Sequence, residues 1–180
     1  MKLQPRVPRE PSVDVIHEFD KFIDRHGIYI MLAKINPPMY CACWNSQTME
    51  ASPTCNSCLG TGFKISYERH KVRMLDPSFT NEATARALQT LPFGNVYVPS
   101  RFFYFKRSVD IPIGSILFTL EWAGMRPIKS TMEAYVVNSS SLQYGPNGIL
   151  VYRKIGADNR PDIATRLFDV DIGQFKVVDV

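Results

Sequence analysis

The chain has no long hydrophobic run: its most apolar stretch, Ile111 to Met125, is broken by Gly114, Ser115, Thr119 and Glu121. That stretch falls short of the ~20 apolar residues a membrane-spanning helix needs, so no span is expected. The start of the chain, Met1-Lys2-Leu3-Gln4-Pro5-Arg6, is basic but is followed by neither an apolar core nor a small-residue cleavage site. It does not read as a secretory signal, and the protein is expected to stay in the cytoplasm of the cell that makes it. A basic run is also missing. The formal charge of +4 comes from 21 basic and 17 acidic residues scattered along the chain, which favours solubility more than a dedicated nucleic-acid surface.

Catalytic signatures are equally scarce. There is no glycine-rich phosphate loop, and Ser139-Ser140-Ser141 lacks the context of a nucleophile elbow. The three histidines, His17, His26 and His70, form no acid–base arrangement that the sequence reveals. An enzyme is therefore not expected. Cysteine is absent everywhere except between positions 41 and 58, and that clustering is the main clue.

What is present suits one main core: 180 residues with 45% hydrophobic and 21% charged side chains. Residues 1–11 carry Pro5, Pro8 and Pro11 at every third position and read as an extended arm. Residues 12–36 hold a helix and a strand. Val13, Ile16, Phe19 and Ile23 form the apolar stripe, with Ser12 as the expected N-cap and Gly27 as a left-handed stop after Arg25-His26. Ile28 to Leu32 reads as a strand leading to a break at Pro37-Pro38.

Residues 37–63 contain the cysteines, and residues 64–180 read mainly as strands. Those strands are Phe63 to Tyr67, Val72 to Leu75, Val96 to Val98, Phe102 to Phe105, Ser115 to Trp122, Ala134 to Val137, Ile149 to Ile155 and Phe175 to Val178. A short helix is expected at Asn81 to Leu88, and a tight turn at Tyr144-Gly145-Pro146-Asn147-Gly148. Alternation in Ile116-Leu117-Phe118-Thr119-Leu120-Glu121-Trp122 puts Ile116, Phe118 and Trp122 on one buried face. The fold expected is α+β and mainly β: a helix, a four-cysteine knuckle, then an antiparallel barrel or sandwich.

The cysteine pattern is Cys41-x-Cys43, eleven intervening residues, then Cys55-x-x-Cys58-x-Gly60-x-Gly62. Two close pairs of thiolates can converge on one tetrahedral zinc ion, and Gly60 and Gly62 let the backbone curl around the second pair. Zn²⁺ held by Cys41, Cys43, Cys55 and Cys58 is the leading reading. Disulfides, as in an extracellular particle, and unliganded thiols stand beside it. Four thiolates leave no open position for water, which disfavours a catalytic zinc. His70, in Arg69-His70-Lys71, is expected to be exposed and solvated rather than a ligand. The aromatic run Phe102-Phe103-Tyr104-Phe105, flanked by Arg101, Lys106 and Arg107, suits a core or subunit interface better than a surface for single-stranded nucleic acid.

Cys41-x-Cys43-Trp44 and Cys55-x-x-Cys58-x-Gly60-Thr61-Gly62-Phe63, placed after a short helix ending in His26-Gly27, resemble a group of tailed-bacteriophage neck proteins, found where head and tail join. The resemblance covers about the first 70 residues. It implies a structural virion protein, made in the host cytoplasm and assembled as a homo-oligomeric ring against neighbouring neck, portal or tail proteins. The alternative is a zinc-containing module that binds nucleic acid.

Overall fold

In the computed structural model, which describes residues 14–75, 101–124, 126–145, 148–168 and 178–179, the first element is helix α1 (Val15–His26). Its N-cap is Asp14, whose carboxylate accepts from the N–H groups of Ile16 and His17 at 3.2 Å each. This corrects the assignment to Ser12, which lies outside the described residues. A carboxylate satisfies two orphan donors and also opposes the helix dipole, which a hydroxyl does not. Gly27 ends the helix in an extended conformation (φ −76°, ψ 153°) rather than a left-handed one. Glycine is needed there for proximity, since a Cβ would lie 2.5 Å from the Ile23 carbonyl oxygen and 3.0 Å from that of Val72.

Strand β1 (Ile28–Tyr40) follows, then a small hairpin of β2 (Trp44–Asn45) and β3 (Glu50–Ala51), and the long strand β4 (Phe63–Leu75). After it come β5 (Arg101–Lys106), β6 (Ile116–Ala123), β7 (Arg126–Tyr144), β8 (Leu150–Asn159), helix α2 (Pro161–Phe168) and β9 (Val178–Asp179). The sheet order β1-β6-β7-β8-β5-β4 returns to β1 through a β1–β4 pairing, which closes a six-stranded antiparallel barrel. β9 adds to β4 in parallel, with Val178 opposite Glu68.

Three local expectations need correction. β1 does not stop at Pro37-Pro38: it runs to Tyr40, and the prolines sit in a bulge between the Ile35↔Ile65 and Tyr40↔Phe63 pairs. Proline cannot donate to a ladder, and a bulge is where a strand tolerates that. The segments Phe63 to Tyr67 and Val72 to Leu75 are one strand, because β1 pairs along β4 from Phe63 to Val72. α2 has no counterpart among the expected elements. The expected helix at Asn81 to Leu88 and strand at Val96 to Val98 lie outside the described residues, as do Pro146 and Asn147 of the expected turn and all of Phe175 to Val178 except Val178. The hairpin itself is present, with β7 pairing β8 from Tyr144↔Leu150 back to Tyr135↔Asn159 through two register shifts, and Gly145 N–H donating to the Ile149 carbonyl at 2.8 Å.

Two apolar layers hold the fold. The barrel interior is filled by Ile30 and Leu32 of β1, Val72 of β4, Phe103 and Phe105 of β5, Leu117 of β6, Tyr135 and Val137 of β7, and Ile155 and Ala157 of β8. A second layer lies outside the barrel wall and joins Met31, Ala33, Ile116, Phe118, Met132 and Ala134 to Ile163 and Ala164 of α2 and to Leu59 of the cysteine loop. Ile116 and Phe118 are fully buried, with Trp122 partly buried beside them, so the expected shared face exists. It is the outer face, whereas Leu117 and Thr119 turn inward. Among the described residues no helix is long and apolar enough to cross a membrane.

Candidate metal centre

The four cysteines lie on an excursion between β1 and β4, the strands that close the barrel. The excursion is tied at its base, where Cys41 N–H donates to the Gly62 carbonyl at 2.8 Å. Above that point Trp44, Tyr40 and Phe63 stack, with Tyr40 centred 4.7 Å from Trp44 and 5.3 Å from Phe63. Gly62, at φ +79°, packs beneath Trp44 so closely that a Cβ would come within 2.8 Å of the indole. The glycine is thus required twice, for its dihedral and for the approach of the ring.

The hairpin β2–β3 links the two cysteine pairs. Its turn is an Asx turn in which the Asn45 side-chain oxygen accepts from Gln47 N–H at 2.9 Å, with Met49 in the left-handed region. The second pair sits on a tight knuckle: Thr61 donates to the Cys58 carbonyl through N–H at 2.9 Å and through its hydroxyl at 2.7 Å. Leu59, Gly60 and Gly62 all have positive φ there.

These turns bring all four sulfurs within 4.8 Å of one another. Cys41 Sγ is 3.9 Å from Cys55 Sγ, and Cys43 Sγ is 3.4 Å from Cys58 Sγ. Thiolates bound at about 2.3 Å around a tetrahedral ion stand ~3.8 Å apart, so the spacing fits a four-sulfur site. None of the four forms a disulfide. The four cysteines can therefore hold a metal ion. His70, by contrast, is neither a member of the cluster nor solvated. It is 3% exposed and shares a 2.8 Å hydrogen bond with Glu68, and its ring meets Phe105 edge-on.

The electrostatics of the loop are uneven. Burial, followed by hydrogen bonding to Cys58, pushes the Cys43 thiol up to about 12, and burial also raises Cys58. At Cys55 burial acts in the same direction but is outweighed by the N–H groups of Cys58 and Ser57 and by the neighbouring thiols, so it falls to about 7. Cys58 likewise receives the N–H groups of Gly62 and Gly60. Such donors disperse the charge of bound thiolates and fix their direction. Tyr67 is pushed up to about 12 by its own burial and then by the charge on Cys58.

Nothing among the protein-family models or the curated proteins matches the chain. The remaining sequence candidates disperse. In the aromatic run, Phe103 and Phe105 are fully buried in the barrel, and Phe102 is covered by the Lys154 ammonium 4.0 Å from its ring centre. Arg69 is buried on the outer wall between Tyr29 and Trp122, 4.5 Å and 5.2 Å from their ring centres. Leu59 was missed by sequence reasoning. A leucine between a cysteine and a glycine carries no signal that it turns inward.

Proposed function

We propose that Cys41, Cys43, Cys55 and Cys58 bind one structural Zn²⁺, and that the chain is a structural component of the neck of a tailed bacteriophage, acting as a homo-oligomeric ring and not as a catalyst. The observation that carries the metal reading is the convergence of four sulfurs, with backbone N–H groups directed at those of Cys55 and Cys58. Thiolate ligands favour zinc among common ions, and zinc supplies a tetrahedral cross-link where a loop of this size has little core of its own. A site closed by four sulfurs offers no position for substrate.

The neck reading rests on the motif that suggested it. Its residues act as one unit here, since Trp44 stacks with Phe63 and covers Gly62 while Cys41 ties to the Gly62 carbonyl. Elemental analysis of the purified chain should give close to one zinc per subunit, and the double substitution Cys55→Ser, Cys58→Ser should abolish it. Metal-free, fully folded wild type would remove the zinc assignment. For the neck, antibody labelling of phage particles that carry this gene should mark the head–tail junction, and label on the capsid or tail tip alone would refute that placement.

A further inference from the structure

We propose that the metal centre acts as a clasp on α2, so that occupancy of the four-thiol site decides whether the apolar outer wall of the barrel stays covered. This rests on reading the four cysteines as a metal site. The connection is Leu59. It follows Cys58 directly, has φ 52°, and is 3% exposed, packed in the outer layer that contains Ile163 and Ala164 of α2. A leucine holds a left-handed conformation only where its surroundings impose it.

Here the imposing contacts converge on Cys58: Thr61 grips its carbonyl, and the N–H groups of Gly60 and Gly62 reach its sulfur. An ion that fixes that sulfur also fixes the direction of the next side chain. With the ion removed, the base of the loop is still tied by the Cys41 N–H to Gly62 bond and by the Trp44–Phe63 stack, but the sulfurs meet only through weak thiol hydrogen bonds, and Leu59 is free to leave its disfavoured backbone state.

Helix α2 leans on the outer layer that Leu59 completes, since Ile163 and Ala164 are its buried residues there. It is eight residues long, too short to persist without tertiary support. Its entry is held by Arg160 N–H, which donates to the Ala134 carbonyl at 2.8 Å. A cleft of about 380 Å³ lies between the knuckle and the α2 side of the wall, lined by Leu59, Thr61, Phe63, Ile116, Val136 and Ile163. Leu59 is the knuckle residue that shares the buried outer layer with Ile163 and Ala164. Releasing it uncovers Met31, Ala33, Ile116, Phe118, Met132 and Ala134, a contiguous apolar face on β1, β6 and β7. Coverage of that face then follows metal occupancy, while the interior layer of the barrel, which includes no cysteine-loop residue, is untouched.

Hydrogen–deuterium exchange of the full chain, read by mass spectrometry with and without a zinc chelator, tests this. Removing the metal should speed exchange of the Thr165 to Phe168 amides by about tenfold or more and leave the Phe103 to Phe105 amides of β5 unchanged, with zinc restoring protection. Leu59→Gly separates the clasp from the ion, since glycine accepts the positive φ and keeps all four ligands. It should retain stoichiometric zinc yet show the same acceleration in α2. The clasp is overturned if zinc-loaded Leu59→Gly protects α2 like wild type, if chelation strips the metal without loosening α2, or if β5 loosens together with α2. A chain that takes up no zinc overturns the metal reading and the clasp together, and elemental analysis of the same sample identifies that outcome.

Discussion

Cys43 and Cys58 hold their protons more tightly than ordinary thiols, the first up to about 12, and burial leads in both. A metal must displace those protons. At pH 7 zinc binding should therefore release at least two protons per ion, and log Kd should fall by at least about two for each pH unit between 7 and 8. Calorimetry in buffers of different ionisation enthalpy measures the number directly; release of fewer than two would mean that the thiols are already ionised. Gly62 offers a second residue-level test. Alanine there suffers both the positive φ and the collision with Trp44, whereas at Gly124, φ +64°, an added Cβ would meet nothing within 4 Å. Gly62→Ala should cost more than Gly124→Ala, by about 1–3 kcal/mol in chemical denaturation. Equal costs would mean that the indole simply moves aside. The thiol cluster was legible because four cysteines crowded into eighteen positions have few other uses. His70 was not, since its pairing with Glu68 and its burial against Phe105 depend on strand packing that local composition does not encode.

At the scale of elements, β6 shows how far alternation reaches. Even-numbered apolar residues announced a buried face, and Ile116 and Phe118 are fully buried. Alternation could not say which layer that face belongs to. Leu117 and Thr119 point into a closed barrel, and α2 covers the other side, so β6 is buried on both faces over Ile116–Thr119. The signal for α2 was available in Pro161, suited to the first helical position, followed by Asp162, which favours the positive end of the dipole and pairs with Arg160 at 2.9 Å. With only two helical turns it offered too short a window for periodicity to register. Phe118→Ala should cost about 3–5 kcal/mol, read as a shift in the denaturation midpoint, because the outer layer is packed like a core. A loss below about 1 kcal/mol would show that α2 gives way to fill the space.

At the scale of the molecule, the described residues build a barrel with no bore. Six strands leave an interior that side chains fill, and Phe103, Phe105, Tyr135, Leu117 and Ile155 occupy it here. If copies of the chain form a ring at a neck, the passage must lie between subunits, and subunit contacts must come from surfaces or segments outside the barrel core. Residues 1–11, which lie outside the described residues, are the sequence's candidate for such a contact. They have too few apolar groups to offset their own ordering, while proline at every third position lowers the entropy to be lost on docking. The fold from Asp14 onward has its own helix cap, closed sheet and two apolar layers without them. We therefore expect deletion of Met1 to Pro11 to leave the thermal midpoint of the isolated subunit within about 2 °C of the full chain, since surface segments away from packing features have little effect on stability. Assembly should nevertheless fall, with Leu3 and Val7 as the apolar contacts and Arg6 and Arg9 pairing with acidic groups on a neighbour. Sedimentation velocity over a concentration series reads the assembly, and a thermal melt of the dilute subunit reads the stability. If the shortened chain assembles as readily as the full one, or if its subunit unfolds many degrees lower, the arm serves its own barrel and not a neighbour.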